Sequence, residues 1–453
     1  MVARHFSAHI SPRTRRLLEA PILPTLLGLA APNVVVMMVQ AVGSAAEPYF
    51  LGYLGAGPLA GVSLVFPLVM LMITMSAGGV GGGVSSAVAR ALGAGKKEYA
   101  EAIATHAVVI GLIGATAFTT ALLLGGPWLF AALGGEGEAL EAAITYSNIV
   151  FAGAVGPWLF NMLASVARGT GNMLLPAVLG VAGVVLLLVV SPILIFGLGP
   201  VPALGVAGAG IGTVVPVGLT TLGLLAYFQS GHGMVRLRGT PLRRETFWEI
   251  LRVAIPGAMN ALMTNLTVVL LTGLVGPFGT LAVAGYGMGA RLEYLLIPLI
   301  FSIGAALVAL VGTNVGAGQI ARARQIAWTG ALVAGCLTEV VGLTAAIKPL
   351  LWASLFSDDP DVLAVSVAYL TTVGPVYGCF GIGLALYFAS QGAGRPLGPL
   401  AAGATRLTTA AAGGWVVIHV LGAGLPGLFI AMAAALVAYA ASMSLLVRAT
   451  RWG

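Results

Sequence analysis

Five ionisable side chains, Glu47, Arg291, Glu293, Glu339 and Arg406, interrupt stretches that are otherwise apolar. An ionised group at mid-bilayer costs about 2.5–3.5 kcal/mol on insertion scales, so one retained in such a stretch is expected to be paired or at work. Glu47 is followed by Pro48, which removes a helical hydrogen bond and frees the carbonyl of Ser44. A carboxylate beside that kinked, locally polar backbone is placed to take up and lose a proton. Arg291 and Glu293 stand two residues apart, on roughly opposite faces of a helix, and are not expected to pair with each other. They follow Tyr286-Gly287-Met288-Gly289, where two glycines weaken the helix and open backbone toward a cavity. Either Glu293 faces a cleft and Arg291 a neighbouring helix, or the reverse. Glu339, four residues after Gly335, is a further cleft candidate.

Other groups carry weaker signals. Aromatic residues such as Tyr49, Tyr53, Phe66, Tyr286 and Tyr377 supply ring faces that stack on flat cations, and Tyr53 and Phe66 are taken as cleft residues. His106 and His419 each stand alone in apolar runs and read as satisfied core histidines. The run from Gly78 to Gly83 has no phosphate-loop lysine, so it reads as a surface for close helix approach. Cys336 and Cys379 have neither metal-ligand spacing nor histidine partners, and no metal site is expected.

The elements that must position these groups follow from composition. Only 8% of the 453 residues are charged, 59% are hydrophobic, and the mean hydropathy is +1.02. Soluble domains carry about 25% charged residues, so lipid is the expected solvent for most of this chain. Apolar stretches long enough to cross a bilayer recur at 24–52, 58–88, 102–133, 140–165, 174–197, 205–228, 250–275, 280–312, 325–356, 362–388, 398–420 and 424–447. The fold class expected is an all-α membrane protein of twelve transmembrane helices.

Every Lys and Arg except Arg291, Lys348 and Arg406 falls at the N-terminus, at the C-terminus or on every second loop. Cytoplasmic loops collect basic residues, so both termini are expected in the cytoplasm. The opposite loops carry acids such as Glu136, Glu138, Asp358 and Asp361, read as a solvated outer surface. Because the basic clusters alternate with apolar spans, they report topology, and nucleic-acid binding is not expected.

An internal repeat divides the chain. Gly93-Ala94-Gly95 recurs as Gly316-Ala317-Gly318, and Gly169-Thr170-Gly171 as Gly392-Ala393-Gly394, both at a shift of 223 residues. Six spans per half give the halves the same orientation, as two parallel six-helix lobes related by a pseudo-two-fold axis along the membrane normal. The lobes are placed at 1–228 and 253–453, with 229–252 a basic cytoplasmic linker. The repeat does not duplicate the charges: shifted by 223, Glu47 falls on Leu270, Glu293 on Met70, Arg291 on Leu68 and Glu339 on Thr116.

An ordered set of motifs resembles the multidrug and toxic compound extrusion (MATE) transporters. Pro32 lies in the first span, and Glu47 precedes Phe50-Leu51-Gly52-Tyr53-Leu54-Gly55. Ala89-Arg90-Ala91-Leu92-Gly93-Ala94-Gly95 closes the second span, Arg168-Gly169-Thr170-Gly171-Asn172 the fourth, and Arg291-Leu292-Glu293 with Pro298 marks the eighth. The resemblance implies two lobes around a central cleft, exporting organic cations in exchange for protons or sodium ions. It also implies that Asn161 and Thr213 assist the coupling carboxylate, Asn161 either reaching Glu47 or packing between helices, and Glu293 is a second cation-coupling candidate. Many relatives carry Asp where this chain has Glu47, and Asp before the fifth-span proline where it has Ser191-Pro192. Residues 253–275 and 362–388 contain no Asp or Glu, unlike relatives whose sodium coupling uses acids there.

The expected function is therefore secondary antiport by a monomer in the inner (cytoplasmic) membrane. Small organic cations are the expected cargo, a proton or sodium ion drives their export, and no enzymatic activity or cofactor is expected. The alternative, a flippase for lipid-linked sugars or another amphipathic metabolite, predicts a strongly basic cleft, for which only Arg291 and Arg406 are available. A membrane transferase would need clustered catalytic His, Asp or Glu, and the sequence has no such cluster.

Overall fold

A computed structural model describes residues 11–197 and 199–452, and every regular element among them is helical. Arg4, read above as cytoplasmic, lies outside the described residues. In chain order the helices are α1 (Pro12–Glu19), α2 (Ile22–Gly52), α3 (Ala56–Thr74), α4 (Gly81–Gly93), α5 (Lys97–Ala132), α6 (Gly137–Ala152), α7 (Val155–Gly169), α8 (Leu174–Phe196) and α9 (Gly205–Ser230). They continue with α10 (Arg244–Val275), α11 (Thr280–Gly316), α12 (Ile320–Ile347), α13 (Leu350–Ala353), α14 (Pro360–Val373), α15 (Tyr377–Gly392), α16 (Leu397–His419) and α17 (Gly424–Ala449). A π-helical turn, Met75–Val80, joins α3 to α4, and a 3-10 turn, Gly374–Val376, joins α14 to α15.

With α3–α4 and α14–α15 taken as continuous, ten segments among the described residues are long and apolar enough to cross a membrane. The pair α6 and α7, bent by 44°, supplies an eleventh. The twelfth segment expected from the sequence is α16, whose 23 residues include Arg406. The observed ends lie within a few residues of the apolar runs, with one clear exception. The ninth span stops at Ile347 and not at 356, because Lys348 and Pro349 break the helix before the short α13.

The chain forms two compact units. One comprises Ala31–Ala254 with the chain up to Thr14; the other comprises Arg15–Ala30 and Ile255–Gly453. The segment 15–30, which the sequence placed in the first lobe, thus belongs to the second unit. Leu17, Leu26 and Ala30 are buried in that unit's core. Asn314 Nδ2 donates to the Leu17 carbonyl at 3.1 Å, and the Arg322 guanidinium donates to that of Ala20.

In the first unit the core gathers α4, α5 and α7. Gly81 and Gly83 meet neighbouring helices closely: a Cβ at Gly81 would approach Ser165 Oγ at 2.5 Å, and one at Gly83 the Ile250 carbonyl oxygen at 2.9 Å. The glycine run therefore serves helix packing, as its composition suggested.

The linker read over 229–252 is only partly irregular. Gly231, at φ +78°, ends α9, and residues 232–243 then lie on α5 before α10 begins at Arg244. Thr105 Oγ1 donates to the Arg238 carbonyl at 2.6 Å, and the buried His106 Nε2 accepts from the Arg243 amide at 2.9 Å. Glu249, on the first turns of α10, accepts from Arg90 at 3.2 Å and from Tyr99 Oη at 2.5 Å. The basic segment is thus tied to α5 and α4 by hydrogen bonds, and its last residues are helical.

In the second unit, residues 302–314 of α11 are buried without interruption, and α15 packs on both α11 and α12. The approach of α12 to the 3-10 turn is closest at Gly342, where a Cβ would lie 2.2 Å from the carbonyl oxygen of Gly374. Backbone cannot yield there as a flexible side chain would. Gly342→Ala is expected to destabilise the second unit by about 1–3 kcal/mol, read as a lower unfolding temperature in detergent. An unchanged temperature would show that the two helices have room to separate.

Candidate functional site

Two polar clusters are built from the charges that the sequence leaves within apolar helices, one in each unit.

In the first unit, Glu47 sits on α2 with Pro48 beside it, and it is half-buried. Its Oε1 accepts from Tyr146 Oη of α6 at 2.7 Å and from Thr213 Oγ1 of α9 at 2.8 Å. Three helices therefore converge on one carboxylate oxygen. Tyr146 is itself buried, so its hydroxyl is directed at Glu47 by packing. Gly212, beside Thr213, lets α9 approach α8: a Cβ there would lie 2.8 Å from Cα of Ser191. The fifth-span Ser191 is thus brought next to the Thr213 turn, where relatives with an acidic residue would place a second carboxylate.

Of the two readings of Asn161, the structure has the interhelical contact and no hydrogen bond to Glu47. The Asn161 Nδ2 donates to Ser76 Oγ at 2.8 Å. Ser76 lies in the π-helical turn Met75–Val80, whose altered spacing presents its hydroxyl to α7. Tyr53 is exposed, shares a 2.8 Å hydroxyl–hydroxyl hydrogen bond with Tyr49 and packs edge-on to Phe196. Phe66 is exposed on α3. Neither contacts the Glu47 cluster in these hydrogen-bond or ring interactions.

In the second unit, Glu293 of α11 pairs with Arg406 of α16, Oε1 to Nη2, at 2.5 Å. Both side chains are largely buried, with 20% and 11% of their surfaces exposed. The Arg406 guanidinium lies over the ring of Phe380 at 4.9 Å and near that of Tyr439 at 5.9 Å. The pair lines a pocket shared with Tyr286, Tyr294, Tyr369 and Thr267. Arg291 points elsewhere, to the ring of Phe356 at 5.4 Å. Of the two arrangements the sequence left open, Glu293 thus faces the cavity and Arg291 does not.

Glu339, expected to line a cleft, instead caps a broken helix. Its Oε2 accepts from the Gly378 amide at 2.6 Å. Gly378 lies in the first turn of α15, after the Gly374–Val376 turn, where Pro375 interrupts the α-helical ladder. An amide freed at such a break needs an acceptor inside the membrane, and Glu339 supplies it. Tyr146, and Arg406 as the partner of Glu293, escaped the sequence reading. Tyr146 has no signal beyond a hydroxyl in an apolar run, and Arg406 lies 113 residues from Glu293.

The fold defines a multi-pass helical membrane protein. The MatE family profile matches residues 32–193 and 256–416, one block in each half. The chain belongs to the MatE family, the ion-coupled MATE antiporters that export drugs and other small molecules, and the two-lobe, twelve-helix fold is the family's own. It is 30% identical to the FAD transporter of Shewanella oneidensis over 86% of this chain and 87% of that one. It is 23% identical to the multidrug export protein MepA of Staphylococcus aureus over 78% and 77%. A crystal structure of a MATE transporter in the bent conformation matches with a TM-score of 0.90 at 26% identity, covering 97% of both chains.

The placement of Glu339 separates structure from transport. Glu339→Ala leaves the Gly378 amide without its carboxylate and is expected to cost about 1–3 kcal/mol, seen as a lower unfolding temperature. Glu339→Gln, which retains an acceptor, is expected to keep most of the stability and transport. Loss of transport in a stable Glu339→Gln protein would instead assign the carboxylate a coupling role.

Proposed function

We propose that this protein exports small organic cations across the cytoplasmic membrane in exchange for protons, with Glu47 as the coupling carboxylate. The observation that carries this reading is the convergence of Tyr146 and Thr213 on Oε1 of Glu47, next to Pro48 within α2. Deprotonated, the carboxylate accepts both hydroxyls and attracts a cationic cargo from the cytoplasmic side. Protonation from outside removes its charge, weakens its hold on the cation and releases the cargo. Asn161 acts through Ser76 on the shape of the π turn, and Thr213 orients Glu47. Glu293 is read as a substrate-pocket residue of the second unit. Glu47 works with hydroxyl donors, and the seventh and tenth spans lack acids, which supports proton over sodium coupling.

The lobes at 1–228 and 253–453 are proposed to alternate around the bound cargo, with 229–252 as their connection and the monomer as the working unit. A lipid-linked-sugar flippase is not favoured, since the relatives compared are named as exporters of drugs and of FAD and the apolar spans supply only Arg291 and Arg406 as basic groups. One other cargo has a specific observation behind it. The Shewanella oneidensis relative is named for FAD, and Arg406 among aromatic rings supplies a cationic group for an anionic flavin nucleotide.

In proteoliposomes with an imposed proton gradient, Glu47→Gln is expected to abolish gradient-driven accumulation of a cationic dye while its unfolding temperature stays near that of the wild type. Full transport in that variant would overturn the assignment. The distribution of basic residues supports cytoplasmic termini. Reporter fusions at the C-terminus should therefore be active for a cytoplasmic fluorescent protein and inactive for a periplasmic phosphatase; the opposite pattern would reverse the orientation.

A further inference from the structure

The Glu293–Arg406 pair has features that a purely structural ion pair does not require. Both side chains line a pocket and keep part of their surface exposed. The guanidinium is held over Phe380 and near Tyr439, which fixes its plane, and its bond to Glu293 engages one of five N–H donors. Thr267, Leu271 and Met432 line the same pocket. Tyr286 and Tyr369 of its lining are buried and pack edge-to-face at 5.5 Å, whereas Tyr294 of the same lining is exposed.

We propose that this pocket is a binding subsite for the anionic end of a flat aromatic ligand, with Arg406 as its receptor and Glu293 as an internal anion that the ligand displaces. A phosphate or carboxylate matches the planar donor fork of arginine better than any neutral group does. The ligand's rings then rest against Tyr294, the exposed tyrosine of the lining. In the empty state Glu293 occupies the fork, so the buried guanidinium is never left uncompensated. The same carboxylate makes the subsite selective, because a ligand without an anionic group cannot displace it.

The inference deepens the flavin-nucleotide reading, and it makes a prediction of sign that a structural role does not. The probes are riboflavin 5′-phosphate and riboflavin, which share one ring system and differ in the phosphate. Binding to the purified full-length protein is read by quenching of flavin fluorescence. The wild type is expected to bind the phosphate form at least about tenfold more tightly than riboflavin. Arg406→Gln should reduce that preference to near unity, and Arg406→Lys should retain part of it. Glu293→Gln should strengthen binding of the phosphate form severalfold, because it removes the competing anion and leaves the guanidinium free.

A structural pair would make Glu293→Gln weaken binding or leave it unchanged, and either result overturns the proposal. Equal binding of the two probes by the wild type also overturns it. Where Arg406→Gln unfolds, the sign of the Glu293→Gln effect decides alone. Counterflow of FAD in liposomes separates the two levels: counterflow that survives Arg406→Gln sinks the subsite and keeps the cargo reading. Absence of FAD counterflow in a wild type that shows the phosphate preference sinks the cargo reading and keeps the subsite.

Discussion

The cost of an unpartnered polar group in hydrocarbon governs this molecule. Each retained charge described here meets it in a different way. Glu47 accepts two hydroxyls, Glu293 and Arg406 neutralise each other, Glu339 accepts an amide freed by a helix break, and Arg291 stacks on Phe356. The helices are spaced by these requirements as much as by their apolar faces. The bends follow the same rule: Pro48 brings polar backbone beside Glu47, and the Gly374–Val376 turn delivers the Gly378 amide to Glu339.

The two units solve the problem with different chemistry although their sequences repeat. The first holds an acid among neutral hydroxyls, whose hydrogen bonds tolerate either protonation state after a simple rotation. The second holds an acid against a permanent cation. The halves share a scaffold pattern, seen in the common shift of 223 residues, while the charges differ between them. In the proposed scheme the exchangeable proton serves coupling and the fixed guanidinium recognition.

Much of this was legible in the sequence because lipid imposes long-period signals. Span number, span ends and the repeat follow from apolar length and from glycine-containing loops, and the helices end within a few residues of the expected positions. The ninth span was read too long because Lys348-Pro349 interrupts an apolar run that hydropathy alone joins. The attachment of 15–30 to the second unit was hidden, since it rests on contacts such as Asn314 to Leu17 across nearly three hundred residues. At the sites, charge scarcity identified Glu47 and Glu293 but not their partners. Tyr146 looks like any interfacial tyrosine, and the π turn that turns Ser76 toward Asn161 leaves no periodic trace. The contact of Glu339 with the Gly378 amide was not legible, because a capping carboxylate and a coupling carboxylate have the same sequence appearance.

The central claim is that one carboxylate exchanges a proton for a cation. The direct measurement is proton release on binding of a permanently charged cationic dye to the detergent-solubilised protein in weakly buffered solution. At a pH where Glu47 holds its proton, the wild type should release about one proton per dye bound, and Glu47→Gln should release none. Dye binding without proton release, or equal release from the variant, would contradict the account.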